Sequence, residues 1–237
     1  MRVFRSEFGH EYGSYSFGYT IHGEREPEDQ LAQVYADGFL PYAPPSSDNA
    51  HLNQDLFYMS RSVRIPVTSF VPSSENRRIF RKFDGQFTIR ILGHDELRSS
   101  PDFSNLLLAY FAERHGADVM PAERLKRILE RDLPMRGIAY ELDGTTVAYV
   151  LEIVEESFSH YWYSCYDLSY AGSSLGMWLM LDAARRAAED GRTHLYLGTA
   201  YGEKARYKTN VPGLEFWDGN EWRADAHQLE ALMRKDG

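Results

Sequence analysis

"SLGMWLMLDAARRAAEDGRTHLYLGTAYGEKARYKTN", residues 174–210, decides the fold. Its first half repeats apolar residues at helical spacing and stops at Gly191, the residue that most readily takes the left-handed helix-ending conformation. THLYLG (193–198) is then an apolar run of strand length, and Lys204, Arg206 and Lys208 follow as a basic knot. Upstream, RGIAYELDGTTVAYVLEIVEESFSHYWYSCYD (136–167) alternates over three strands, with Asp143-Gly144 as a hairpin signal. Downstream, GLEFWDGNEWR (213–223) reads as a strand pair turning at Asp218-Gly219.

An antiparallel meander, a helix, a strand and a closing hairpin are α+β. The order resembles the acetyltransferase (GNAT) fold, a mixed sheet flanked by helices. The segment before it is less regular. Residues 1–23 mix glycine with aromatics, a pattern of irregular strand and turn, and Glu28 to Tyr35 predicts a short helix ended by Asp37-Gly38. FLPYAPPSSDNAHLNQ (39–54) reads as a loop, and residues 56–70 read as strands with Pro66 at an edge or bulge. PSSENRRIFRKF (72–83) predicts a capped helix, and QFTIRIL (86–92) another strand. Helices are expected over 100–116 and 121–132, each opened by a proline. The expected organisation is an N-terminal α+β subdomain over 1–95 and a GNAT-like domain over 96–237.

With 237 residues, 43% of them hydrophobic, the chain can bury one large core or two small ones. No apolar run approaches the roughly 20 residues that span a bilayer, and the aromatic, polar start does not resemble a secretory signal. A single cysteine, Cys165, excludes an internal disulfide and a cysteine-cluster metal site. A cytoplasmic protein with no metal is expected. The net charge of −9 argues against broad nonspecific nucleic-acid binding. Locally the balance reverses: residues 61–90 carry seven basic side chains (Arg61, Arg64, Arg77, Arg78, Arg81, Lys82, Arg90) against Glu75 and Asp84, a net +5. Such an island either focuses an anionic partner or is a solvated, salt-bridged face.

Tyr166-Asp167, then Ser174-Leu175-Gly176 at a helix start, Tyr196-Leu197-Gly198 at a strand end, Lys204 with Tyr207-Lys208, and Pro212-Gly213-Leu214-Glu215 form an ordered set. Upstream stand IPVTSFVPSSENRRIFRKF (65–83), with Arg77-Arg78, and a helix carrying Tyr110, Arg114-His115 and then Met120. In order and spacing the set resembles the aminoacyl-tRNA–protein transferases, the arginyl- and leucyl-transferases, over nearly the whole chain. The family's cysteine groups are missing here, its Tyr-Asp-Pro step reads Tyr166-Asp167-Leu168, and its Lys-Met reads Lys204-Ala205.

The resemblance implies attack by a protein or peptide N-terminal amine on the ester of an aminoacyl-tRNA, with the charged tRNA as co-substrate and no other cofactor. Such a site needs an unprotonated amine, an oxyanion stabiliser and help for the leaving ribose oxygen. Asp167 would accept the amine's proton or bind it as an ammonium, unless it merely forms a turn. Tyr166 and Tyr196 would stack on the terminal adenine or donate to the leaving oxygen, unless they are core tyrosines. The helix start at Ser174 and Gly176 offers backbone N–H groups to an anion, with Ser173 or Ser174 as the cap. Lys204, Arg206 and Lys208 would contact phosphate. Arg77 and Arg78 suit either phosphate or an acidic acceptor side chain. Arg114-His115 would bind substrate or only offset the helix dipole; Gly198 and Tyr207 enter with their motifs. Two rivals stay open. One is an N-acyltransferase using acyl-CoA, although YAGSSLG (170–176) lacks the usual glycine loop; the other is a noncatalytic binding module.

Overall fold

Strict alternation along the central meander sends successive side chains to opposite faces of one sheet. The strands are β7 (Met135–Leu142), β8 (Thr145–Val154) and β9 (Phe158–Tyr166), and the computed structural model describes residues 1–11, 16–43 and 55–236. On β8, Ala148 and Val150 enter one buried cluster, while Tyr149, Leu151 and Ile153 enter another. The β7–β8 turn is made by Asp143 (φ 51°) and Gly144 (φ 78°), both left-handed as a tight hairpin requires.

Before the meander come β1 (Arg2–Glu11), β2 (Ser16–Glu24), α1 (Leu31–Ala36), β3 (Phe39–Pro41), β4 (Leu56–Met59), β5 (Ser62–Pro66), α2 (Ser74–Phe83), β6 (Thr88–Gly93), α3 (His94–Arg98), α4 (Pro101–His115) and α5 (Ala122–Leu129). After it come α6 (Leu175–Glu189), β10 (His194–Thr199), a 3-10 segment (Glu203–Asn210), β11 (Glu215–Trp217), β12 (Trp222–Arg223) and α7 (Ala226–Met233). Two sheets result, one in the order β1-β2-β4-β3 and one in the order β12-β11-β5-β10-β9-β8-β7-β6. The α+β, GNAT-like mixed sheet expected from the sequence is the fold found.

Several expectations are corrected. Where irregular strand and turn were expected, Arg2–Glu11 and Ser16–Glu24 are paired antiparallel strands with one register shift between Phe8 and His10; 12–15 lie outside the described residues. Phe39–Pro41, expected in a loop, is a strand paired with β4, while 44–54 lie outside the described residues. The first helix begins at Leu31, not Glu28. Pro66 marks neither an edge nor a bulge: β5 lies inside the sheet between β11 and β10, and Pro66 is its last residue, where a missing N–H costs least. The five-residue α3 and the C-terminal α7, capped by Asp225, carry too little periodicity to be expected. Strands β5 and β6, both before residue 95, belong to the larger sheet.

Helices cover both faces of that sheet. On one, Trp178, Leu179 and Ala183 of α6 pack with Ile79 and Phe83 of α2 on Val63, Ile65, Ile138 and Val150. On the other, Phe103, Leu107, Leu125 and Ile128 pack on Ala139, Tyr149 and Leu151, joined by Tyr35 of α1. Helix α2 starts with a reciprocal capping box between Ser73 and Asn76, as the sequence expects.

Candidate functional site

Strands β9 and β10 are parallel, yet they pair only through His194–Phe158, Leu195–Ser159 and Tyr196–His160. Strand β9 then runs on to Tyr166, and the chain turns through a 3-10 segment (Leu168–Tyr170) into α6. The ring of Tyr166 lies on the first turn of that helix, where a Cβ on Gly176 would come within 3.2 Å of its Cε1. Tyr110 of α4 covers the other side, with ring centroids 4.9 Å apart. Burial and the hydrogen bond with Tyr166 hold the Tyr110 phenol above its usual range.

The C-terminus of α4 brings Arg114 and His115 to the same place. His115 packs on Phe111 (5.0 Å) and Tyr110 (6.3 Å). Desolvation, then the charges of Lys204 and Arg114, lower its pKa, which favours neutral imidazole. Lys204 is exposed on the 3-10 segment; Tyr207 is 44% exposed, with its hydroxyl desolvated and its pKa raised by that burial and by Tyr166. Tyr110, Arg114, His115, Tyr166, Gly176, Lys204 and Tyr207, from four parts of the chain, thus converge.

Other expected site residues lie differently. Ser174 is left-handed (φ 74°) and makes no side-chain cap; Ser173 Oγ instead accepts from the Leu175 N–H at 3.2 Å. Asp167 is an exposed turn residue whose Oδ1 accepts from the Ser169 N–H at 2.8 Å, and that bond lowers its pKa. It is ionised, and a weak base. Tyr196 sits in an aromatic cluster with Tyr35, Phe158 and Trp222, its hydroxyl 3.5 Å from Arg64 Nη1. Arg77 donates to the Pro72 carbonyl, and Arg78 is paired with Glu75 on the surface, the two side chains 57% and 58% exposed.

Lys208 is the largest surprise. The half-buried side chain turns inward: Nζ donates to the carbonyls of Leu197 and Thr199, both at 2.7 Å, and desolvation lowers its pKa to about 8. The carbonyls flank Gly198, whose φ of +77° kinks the end of β10. Two carbonyls of the chain itself therefore hold two of its three hydrogens.

The basic island is largely a paired face, since Arg61, Arg64, Arg78 and Arg90 each meet a carboxylate. Lys82 differs: its Nζ donates to the Ser173 carbonyl at 2.6 Å, which sets a cation beside the N-terminus of α6. Sequence reading counted Lys82 in the island but gave it no role, because only the packing of α2 on α6 brings it there. Among the described residues no group of three or more His, Cys, Asp or Glu side chains could hold a metal ion. Cys165 is buried and its thiol is pushed up by desolvation, an unreactive setting. No helix of the described residues is long and apolar enough to cross a membrane.

Residues 75–209, more than half the chain, match the acetyltransferase (GNAT) domain, and the chain belongs to that family. It is similar to curated proteins named aspartate/glutamate leucyltransferase, which bears out the resemblance to the aminoacyl-tRNA–protein transferases. The Cereibacter sphaeroides protein is 28% identical over 69% of this chain and 61% of its own length. The Pseudomonas fluorescens protein is 26% identical over 83% of this chain and 90% of its own. A second C. sphaeroides relative is matched over 66% of its length, so the chain spans about two thirds or less of the two C. sphaeroides relatives. Among solved structures, L-PGS from Bacillus licheniformis aligns with 87% of this chain and 69% of its own, at 13% identity and a TM-score of 0.47.

Proposed function

We propose that the protein transfers an amino acid, leucine first among the candidates, from an aminoacyl-tRNA to the N-terminal amine of a peptide or protein that begins with Asp or Glu. The observation that carries the reading is the convergence of Tyr110, Tyr166 and Gly176 at the start of α6, in a chain whose relatives are named aspartate/glutamate leucyltransferase. Tyr110, half-buried and tilted against the buried Tyr166, is the ring of the pair suited to stacking on the terminal adenine. The first N–H groups of α6, Lys82 and Lys204 suit the flanking phosphates. Asp167, ionised at the mouth, suits the acceptor's ammonium better than it suits taking a proton. Because the ester is already activated, holding amine and ester together supplies most of the rate.

The test is direct. Purified protein is incubated with leucyl-tRNA, arginyl-tRNA or acetyl-CoA and peptides beginning with Asp, Glu or Ala, and products are read by mass. A leucine mass added to the Asp and Glu peptides supports the reading; no addition from either charged tRNA overturns it. The family match to acetyltransferases supports a second reading, transfer from acyl-CoA at the same helix start, and an acetyl mass from acetyl-CoA alone would establish it.

A further inference from the structure

Residues 197 and 198 lie between two lapsed ladders. Pairing of β10 with β9 ends at Tyr196, and its pairing with β5 shifts register between Tyr196 and Thr199. Lys208 staples this kink through the carbonyls on either side of Gly198. An ammonium has three hydrogens, and these bonds use two.

A second donor faces the same point. His160 on β9 is fully buried; its Nδ1 lies 2.9 Å from the Tyr35 hydroxyl, and its Nε2 has no partner. The ring is neutral, its pKa lowered to about 3 by desolvation and then by Lys208. With Tyr35 donating to Nδ1, one of the two tautomers this contact allows, the ring hydrogen rests on Nε2. A Cβ placed on Gly198 would meet Lys208 Nζ at 3.7 Å and His160 Nε2 at 3.9 Å, with no other atom within 4 Å beyond the adjacent residues. Gly198 itself is partly exposed.

We propose that Lys208 Nζ and His160 Nε2, meeting over Gly198, form the donor pair that receives the carbonyl oxygen of the aminoacyl ester, with Tyr35 as the positioning residue that fixes the imidazole. This rests on the aminoacyl-tRNA reading and deepens it. The third ammonium hydrogen and the Nε2 hydrogen suit an acceptor-only group, and a carbonyl oxygen gaining negative charge is one. As the acceptor's amine nitrogen bonds to the ester carbon, the carbonyl π electrons move to that oxygen. Collapse restores the double bond and breaks the bond to the ribose oxygen, which takes a proton from the attacking nitrogen. The products are an amide and the free tRNA hydroxyl; Lys208 and His160 donate hydrogen bonds and keep their protons. Glycine at 198 lets the oxygen approach where any side chain would fill the space.

The experiment compares two adenosine probes by calorimetry: a planar one, leucine amide-linked to 3′-amino-3′-deoxyadenosine, and a tetrahedral, anionic one, the leucine phosphonate ester of adenosine. The wild-type protein should prefer the phosphonate. Lys208→Met and His160→Phe should each weaken it by on the order of 10²-fold while the amide changes by less than about twofold, the range expected for one oxyanion donor. Melting curves check that the variants fold; should Lys208→Met fail, His160→Phe and Tyr35→Phe carry the test. Equal weakening of both probes, or none, overturns the donor pair. Wild-type protein that binds the amide without preferring the phosphonate overturns it too and leaves the aminoacyl-tRNA reading standing. Binding of neither probe overturns that reading itself.

Discussion

The ring of Tyr166 rests on Gly176, so close that a methyl group there would sit 3.2 Å from the ring. A helix interior ordinarily gains about 1 kcal/mol when alanine replaces glycine. Here the gain is offset by displacement of a ring that also holds Tyr110. Gly176→Ala is therefore expected to leave the melting temperature nearly unchanged while lowering aminoacyl-tRNA affinity several-fold. Wild-type affinity in a variant that melts normally would show that the ring does not face the donor.

On the proposed reading, Lys82 and Lys204 are the lysines that would meet phosphate. Replacing either by alanine should weaken tRNA binding and reduce the slope of log affinity against log salt by about one. Lys208→Met should leave that slope alone, since its ammonium is engaged by two carbonyls inside the fold. A salt slope that falls with Lys208 and not with the other two would reverse this assignment.

Beneath the site lies a buried charge network. Asp182 accepts from the Tyr140 hydroxyl at 2.8 Å, from Arg185 at 2.6 Å and from Arg186; Glu152 accepts from Arg136 at 2.8 Å and Arg186 at 2.5 Å. Both carboxylates are 1% exposed. Removing either leaves the largely buried Arg186 with one carboxylate partner in place of two, which costs about 2–3 kcal/mol. Asp182→Ala and Glu152→Ala should lower the urea midpoint accordingly with little change in slope. A loss under about 1 kcal/mol would mean that water reaches the network.

His160 makes stability depend on pH in a definite direction. Its folded pKa is about 3, below the ordinary 6.5, so between those values the unfolded chain binds a proton that the folded one refuses. Its contribution is present above pH 6.5 and is lost as pH falls toward 3. His160→Gln should flatten the stability profile across that window, as urea titrations at stepped pH would reveal. An unchanged profile would mean that the ring is protonated in the native state.

Much of the fold was legible because its signals are local: the meander alternates, Asp143-Gly144 turns it, and α6 is periodic with a glycine stop. The capping box at Ser73 and Asn76 was legible for the same reason. What the sequence hid depends on distant pairing. Phe39–Pro41 carries no period in three residues, and it is a strand because β4 lies beside it. Lys208 follows an exposed basic run and so reads as surface, yet the kink at Gly198 leaves two carbonyls that draw its ammonium inward. His160 shows no ligand spacing along the chain; its partner Tyr35 is 125 residues away. The Tyr110–Tyr166 contact likewise joins α4 to the end of β9, and only the family resemblance placed both residues in view.

Arg78 distinguishes the acceptor side of the reaction from the tRNA side. Its guanidinium already holds Glu75 through two bonds, of 2.8 and 2.6 Å, one helical turn away on an exposed face. A peptide that begins with Asp or Glu would offer the same group, so if Arg78 reads the acceptor, Glu75 would compete with the incoming carboxylate. Arg78→Ala should then abolish the preference for acidic over neutral first residues while tRNA affinity and melting temperature hold, since exposed pairs add little stability. Glu75→Gln should do the reverse and lower KM for acidic acceptors without changing kcat. If Arg78 instead meets phosphate, Arg78→Ala will weaken tRNA binding equally for every peptide and Glu75→Gln will strengthen it. Kinetics with Asp-, Glu- and Ala-starting peptides, run beside tRNA titrations on both variants, decide between the two; unchanged behaviour of both would leave the pair as a helix-surface contact alone.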